Sequence, residues 1–370
     1  MASDDVRVTR PPRRILIIKP SSLGDIVHAL PVLRAIRKAH PKAHIAWLVN
    51  RGFAPLLEGH PLLDEVIPFD RVEYGNMARS LGALLAFIRF VRAIRRRQFD
   101  LVVDLQGLFR SGFLALASGA PRRVGFASAR EFAPAFYSRR VDGQRHALHA
   151  VDLNLRLARA MGWPADNLQF PLGLGAEGLE AARALLAEVA GRSLGAFTAV
   201  IPGTRWESKR WRADRFAALI DRLASEAFPP VVVVGGPNDR AFADEILAAC
   251  RSTPIDLVGR TSLRTLTGVI ALAQTVVCHD SGPMHLAAAL GKPVVALFGP
   301  TNPGRTGPYC DSAQIVALPL PCAPCYSRTC PLSHHNCMQQ LDVEMVWQAI
   351  LRNRPQPSAP VESPVAARHS

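Results

Sequence analysis

No stretch of this chain reaches the roughly 18 uncharged apolar residues that a membrane span needs. The run 81–94 comes nearest, and Arg89 and Arg92 interrupt it. The opening MASDDVRVTRPPRR has no apolar core and does not read as a signal peptide, so the expected location is the cytoplasm. Neither a Walker sequence nor a G-x-G-x-x-G is present, which removes support from nucleoside-triphosphate hydrolysis and dinucleotide redox chemistry. Aromatic residues amount to only 7% and no nucleic-acid module is visible, which argues against a base-stacking nucleic-acid binder. Acidic residues are in deficit: 30 Asp+Glu face 44 Lys+Arg, a net charge of +14. That excess favours anionic partners, whether nucleic acid, an acidic membrane surface or phosphorylated substrates, and an Arg-rich composition accounts for part of it.

What is present is enough apolar material, 49% of 370 residues, for globular cores, and a length that suggests two domains. Short β-branched runs alternate with helix-period segments, the pattern of a parallel sheet covered on both faces. Strands are expected over 14–19, 44–49, 65–69, 100–104 and, as an edge strand, 122–125. Helices are expected over 26–39, 81–97, 108–116 and 150–161. After 171–178, which has a linker's composition, the series restarts with strands over 197–201, 231–234, 255–258, 275–278 and 293–298, interleaved with helices. The expected organisation is a flexible basic N-terminus (1–13), an N-terminal Rossmann-like domain (14–172), a C-terminal Rossmann-like domain (173–342), a closing helix (343–354) and a disordered tail (355–370). Two doubly wound parallel-sheet halves of this kind leave a cleft between them, at the carboxyl ends of the strands.

Four strand-to-helix turns carry polar groups at those ends. Ser21-Ser22-Leu23-Gly24-Asp25 reads as a helix cap, and its carboxylate suits a general base if it reaches a substrate hydroxyl. The turn 201–212 sets Thr204, Ser208 and Lys209 beside Trp206 and Trp211; hydroxyls with a lysine suit phosphate oxygens, and the tryptophans favour a site over a solvated loop. Gly235-Gly236-Pro237-Asn238-Asp239 allows close ligand approach, with Asp239 able to accept ribose hydroxyls. Asp280-Ser281-Gly282-Pro283 opens a helix with Ser281 as its N-cap, a seat for an anion. An ordinary crossover requires neither Asp280 nor His285 at that mouth. Together the four turns point to a nucleotide-linked substrate held across the cleft.

KPSSLGDIVHALPVLRAIR near the start and CHDSGPMHLAAALGKPVVALFGPT near the end resemble glycosyltransferase family 9, the ADP-heptose:lipopolysaccharide heptosyltransferases. VDLQGLFRSG (103–112), SAREFAPAFYSRR (128–140) and SKRW (208–211) agree with it, over about residues 14 to 350. The resemblance implies a GT-B fold and an inverting, metal-independent transfer of heptose from ADP-heptose to the inner core of lipopolysaccharide, with no cofactor. It implies that Asp25 is the general base and that Ser22 and Gly24 belong to the acceptor side. Lys209 and Thr204 would meet the donor diphosphate, and Asp280, Ser281, Gly282 and His285 match the family's donor motif. Asp239 matches its ribose-holding acidic position, and Arg130 is a candidate for the acceptor's carboxylate or phosphate. The partners implied are ADP-heptose, a Kdo-lipid A type acceptor and the inner face of the cytoplasmic membrane, met through Arg89–Arg97 or the N-terminus, and no nucleic acid. Another sugar nucleotide or acceptor on the same fold is the alternative within enzymes.

Seven cysteines are unevenly spread, with Cys322, Cys325, Cys330 and Cys337 inside sixteen residues. Without a secretion signal disulfides are not expected. The first pair has zinc-ligand spacing and the second does not, so a zinc site and a metal-free loop stay equally open, and no metal is assigned.

Overall fold

The computed structural model describes residues 11–76, 79–143, 147–166 and 168–353. The flexible N-terminus expected over 1–13 falls mostly outside them, as does the tail expected over 355–370. The described chain builds two six-stranded sheets. The first contains β1 (Arg14–Ile18), β2 (His44–Asn50), β3 (Glu65–Phe69), β4 (Leu101–Asp104), β5 (Arg122–Phe126) and β6 (Arg139–Val141). The second contains β7 (Thr198–Ile201), β8 (Val231–Val233), β9 (Ile255–Asp256), β10 (Thr275–His279), β11 (Val294–Phe298) and β12 (Ala313–Ala317). Their orders are β3-β2-β1-β4-β5-β6 and β12-β11-β10-β7-β8-β9, with parallel pairing throughout. Numbered within its own half, the second order is the first repeated. Both are doubly wound, and each reverses direction at one point: between β1 and β4, and between β7 and β10.

Those switch-point strands are covered on both faces. Ile15 to Ile18 of β1 and Val276 to Cys278 of β10 are fully buried, as continuous runs must be when helices cover both faces of a sheet. One contiguous apolar cluster runs from β1 and the Leu23–Ala39 helix through to β10 and the Gly282–Ala289 helix. The two halves therefore meet along packed helices, and the Leu23 and Gly282 helices touch directly.

Four expectations change. The strand Arg122–Phe126 is interior, because Arg139–Val141 pairs on its outer side; that edge strand carries two exposed arginines and shows no apolar run to read. The stretch expected to be a linker becomes helical at Gly175, in a helix that runs to Ala190. β12 was not anticipated, since Ala-Gln-Ile-Val-Ala alternates too weakly to stand out. Arg97, expected among the arginines that meet the membrane, is paired to Glu65 (Nη2 to Oε1, 2.6 Å). The last helix, Val343–Arg352, packs on the second sheet, with Trp347 against Phe228 (rings 5.0 Å apart). No helix among the described residues is long and apolar enough to cross a membrane.

Trp47 of β2 ties the core to the first mouth. It is fully buried, and its indole N–H donates to the Lys19 carbonyl at 3.2 Å, where β1 ends. Trp47→Phe would orphan that carbonyl in the interior, at a cost of about 1–3 kcal/mol. A lowered thermal midpoint in scanning calorimetry is the expected result.

Candidate functional site

Just past the end of β1 stands Lys19, whose ammonium is buried, donates to the Leu105 carbonyl (2.9 Å) and lies 3.4 Å from Asp25 Oδ1. Asp25 Oδ2 accepts from both the N–H and the hydroxyl of Ser22, each at 2.8 Å, which closes the first turn of the Leu23–Ala39 helix as a capping box. Partial burial raises the Asp25 pKa, but the Lys19 charge and the two Ser22 bonds outweigh it and hold the carboxyl well below the usual range. Asp25 is thus ionised, and 44% of its side chain remains exposed. Beside it, β4 ends at the fully buried Asp104, which accepts from Gln106 N–H, Gly107 N–H and the Tyr137 hydroxyl. That carboxyl shapes the 105–107 turn. Gly107, at φ +66, then accepts at its carbonyl from Arg130 N–H (3.0 Å), which sets the exposed Arg130 side chain on the same side of the first sheet.

In the second half β10 is followed at once by Asp280, 7% exposed. Lys209 Nζ meets Asp280 Oδ2 at 2.6 Å and its carbonyl at 3.2 Å, while the Thr301 hydroxyl donates to the same Oδ2 at 2.6 Å. The Lys209 ammonium also lies over the Trp206 ring, 4.6 Å from its centroid. Ser281 takes the N-cap position of the Gly282–Ala289 helix, yet its hydroxyl makes no cap bond and is a buried polar atom without a partner among the described residues. Thr204 lies half-buried in the turn after β7. Asp239 Oδ2 accepts from Gly236 N–H (2.8 Å) and lies across Gly203, where a Cβ would stand 2.3 Å from that oxygen. Asp239 therefore links the turns after β7 and β8.

The two mouths face each other at close range. A Cβ on Gly24 would lie 2.3 Å from His285 Cδ2, and one on Gly282 would lie 2.7 Å from Leu23 Cδ2. Two helix N-termini thus abut, each with free N–H groups and the positive end of its dipole at the junction. Asp25, Ser22 and Gly24 come from one side, and Asp280, Ser281, Gly282, His285 and Lys209 from the other.

The sequence model of glycosyltransferase family 9 (heptosyltransferase) matches residues 87–336. The chain belongs to glycosyltransferase family 9. It is 33% identical over 324 residues to lipopolysaccharide heptosyltransferase 1 of Pseudomonas aeruginosa, covering 86% of this chain and 87% of that one. Its fold matches the crystal structure of a glycosyl transferase family 9 protein from Veillonella parvula with a TM-score of 0.81, at 24% identity, covering 92% and 97% of the two chains. It also matches E. coli heptosyltransferase WaaC with ADP-2-deoxy-2-fluoro heptose, with a TM-score of 0.71 at 26% identity, covering 92% and 99%. The expected GT-B architecture is the one observed.

Two sequence readings change within this family 9 site. Ser208 is no open phosphate ligand: its hydroxyl donates to the Ser327 carbonyl (2.6 Å) and its carbonyl meets His335 Nε2 (2.6 Å). Trp211 is a core residue, wholly buried, whose indole donates to the Leu341 carbonyl while its backbone N–H donates to His279. Its apolar burial, not ligand contact, explains that tryptophan. The four clustered cysteines line one small cavity with His334 and His335, against Ser208. Among the described residues no group of three or more His, Cys, Asp or Glu is arranged to hold a metal ion. The loop's visible work is to brace the Glu207–Lys209 turn through Ser208. Lys19 and Asp104, which border the Asp25 turn, were not singled out; the signal was available, since each is a charged residue at the carboxyl end of a buried apolar run, beside a polar turn.

Two predictions follow from this geometry. Lys209→Met leaves the buried Asp280 carboxylate without its cation, which should destabilise the fold by about 3–5 kcal/mol, read from the denaturation midpoint. Burial pushes His279 to about 3 and His285 to about 4 from 6.5. The unfolded chain therefore binds protons between about pH 6.5 and 4 that the folded chain refuses, and stability falls as pH is lowered through that window. The thermal midpoint at pH 5 should lie clearly below that at pH 7.5, and His285→Gln should shrink the difference.

Proposed function

We propose that this family 9 enzyme transfers heptose from ADP-heptose to the inner core of lipopolysaccharide, with Kdo-lipid A or heptosyl-Kdo-lipid A as acceptor, with inversion and without a metal ion. The observation that carries the reading is the abutment of an ionised carboxylate, Asp25, with a helix N-terminus and lysine of the opposite half. The names of the relatives support it: one is a lipopolysaccharide heptosyltransferase, and one holds an ADP-heptose analogue. On this reading residues 14–172 form the acceptor half and 173–342 the donor half. The N–H groups of Ser281 and Gly282 and the unpartnered Ser281 hydroxyl suit a diphosphate, with Lys209 and Thr204 beside it and Asp239 toward the ribose. Arg130 suits an anionic group of the acceptor. The exposed Arg89, Arg92, Arg95 and Arg96, on a helix that also exposes Leu81, Leu84 and Leu85, suit a peripheral contact with an anionic membrane at its inner face.

The chemistry is a single displacement. The acceptor hydroxyl oxygen bonds the anomeric carbon as the bond from that carbon to the phosphate oxygen breaks, and the electron pair leaves with ADP. Lys209 and the Gly282 helix terminus meet the charge that grows on the diphosphate. Attack from the Asp25 side, opposite the leaving group, inverts the centre. Once the acceptor oxygen has bonded the anomeric carbon it is an oxonium, whose O–H is far more acidic than a carboxylic acid, so even the strongly ionised Asp25 can take its proton.

ADP release from ADP-heptose should depend on one member of an acceptor panel: Kdo-lipid A, or the same bearing one or two heptoses. Asp25→Ala should lower that turnover by at least about a hundredfold while calorimetry shows ADP binding little changed. Unchanged turnover removes Asp25 from the role, and failure of the wild type to bind ADP-heptose removes the donor assignment.

A further inference from the structure

His28 lies one helical turn beyond Asp25 in the Leu23–Ala39 helix, and the reaction as written leaves it without a part. Its Nε2 stands 2.9 Å from His285 Nδ1, with the rings edge to face at 4.3 Å. This bond crosses between the halves, and the two residues are only 4% and 7% exposed. On its other side His28 meets His149, ring to ring at 5.3 Å, and its carbonyl accepts from Asn154 Nδ2 at 3.0 Å, so the residue is held from the neighbouring helix as well.

Burial keeps both imidazoles neutral at pH 7. A bond between two neutral rings contains one proton, so one ring donates and the other accepts, and the tautomer of each is tied to that of its partner. The second nitrogen of His285, Nε2, faces the Ser-Leu-Gly-Asp turn: a Cβ on Gly24 would lie 2.7 Å from it. The charged and titratable groups that act on His285 are Asp280 and Asp25, which favour a proton on the ring, and His149 and Lys209, which oppose one. Nδ1 is taken up by the bond to His28, so Nε2 is the nitrogen left facing the turn that carries Asp25, and a proton there points into the junction.

We propose that His28 is a positioning residue: its Nε2–H donates to His285 Nδ1, which leaves His285 with its own proton at Nε2, directed at the junction of the two helix N-termini. There it can donate to an oxygen of the bound nucleotide sugar. The assignment rests on the proposed function for the presence of that oxygen, but not for the tautomer itself. It also gives the contact between the halves a chemical consequence, because His285 is correctly protonated only while the two helices are together.

Two measurements test it. In two-bond 1H–15N spectra of histidine-labelled wild-type protein at pH 7.5, His285 should show an unprotonated Nδ1 and a protonated Nε2. The reverse tautomer or an even mixture overturns the proposal, whether or not transfer is detected. In steady-state assays His28→Phe, which fills the space without an N–H, should lower kcat by at least about tenfold, the loss of one hydrogen bond made to the reacting complex. ADP affinity should stay within about threefold. His28→Gln, which can place an amide N–H near the same point, should recover most of the loss. Wild-type kcat in His28→Phe, or no recovery in His28→Gln at an equal thermal midpoint, overturns the proposal. If His28→Phe fails to fold, the spectrum and the Gln variant still decide. A wild-type enzyme that neither binds ADP nor transfers heptose counts against the proposed function instead.

Discussion

The site depends on one steric allowance, the close approach of two helix N-termini from opposite halves of the chain. Gly24 makes room for the His285 ring and Gly282 makes room for Leu23, at distances where any side chain on either glycine would collide. Neither glycine has a positive φ, so the requirement is space rather than backbone freedom. With those gaps filled, the Asp25 turn and the Gly282 helix could not share a mouth. The His28–His285 bond then sits directly behind the contact, where it is shielded from water.

A second constraint is repeated in each half. Each switch-point strand ends with an aspartate nearby and a lysine held against it: Lys19 beside Asp25, and Lys209 beside Asp280. The two pairs are not equivalent. At Asp280 the ions are 2.6 Å apart and almost wholly buried, and Thr301 completes the carboxylate's coordination. That arrangement fixes geometry, since a buried pair is costly to separate and tolerates little displacement. At Asp25 the separation is 3.4 Å and much of the carboxyl is open. The looser pair keeps an ionised oxygen accessible, as proton transfer would need, while the tighter pair keeps a cation at a set point beside the N-terminus of the Gly282 helix. The cysteine-containing loop and Ser208 extend the tighter arrangement outward by holding the Lys209 turn from behind.

Some parts were legible because they depend on local pattern. The β-branched runs of β1 and β10 alternate with helix-period segments, and burial on both faces leaves no other reading of such runs. The polar turns after β1, β7 and β10 announced Asp25, Lys209, Asp280 and His285 one by one. Elements whose pattern is weak were misjudged: β6 shows two arginines to solvent, and β12 has only one buried side chain. Ser208 and Trp211 were misjudged for another reason. A hydroxyl or an indole near a lysine looks the same in sequence whether it faces a ligand or a carbonyl of a distant loop, and Ser327 lies 119 residues away and Leu341 130.

The sequence by itself determined the parallel two-sheet architecture, the membership in a glycosyltransferase family and the identity of the charged turns, because each rests on residues close together in the chain. Only the tertiary structure decided which turns meet. It brought His28 within 2.9 Å of His285 across 257 positions, placed Lys19 beside Asp25, and tied the Ser208 hydroxyl to the Ser327 carbonyl. The physical reason is that ionisation, tautomer and hydrogen-bond occupancy are set by neighbours in space and by the exclusion of water. Both arise only when the two halves pack.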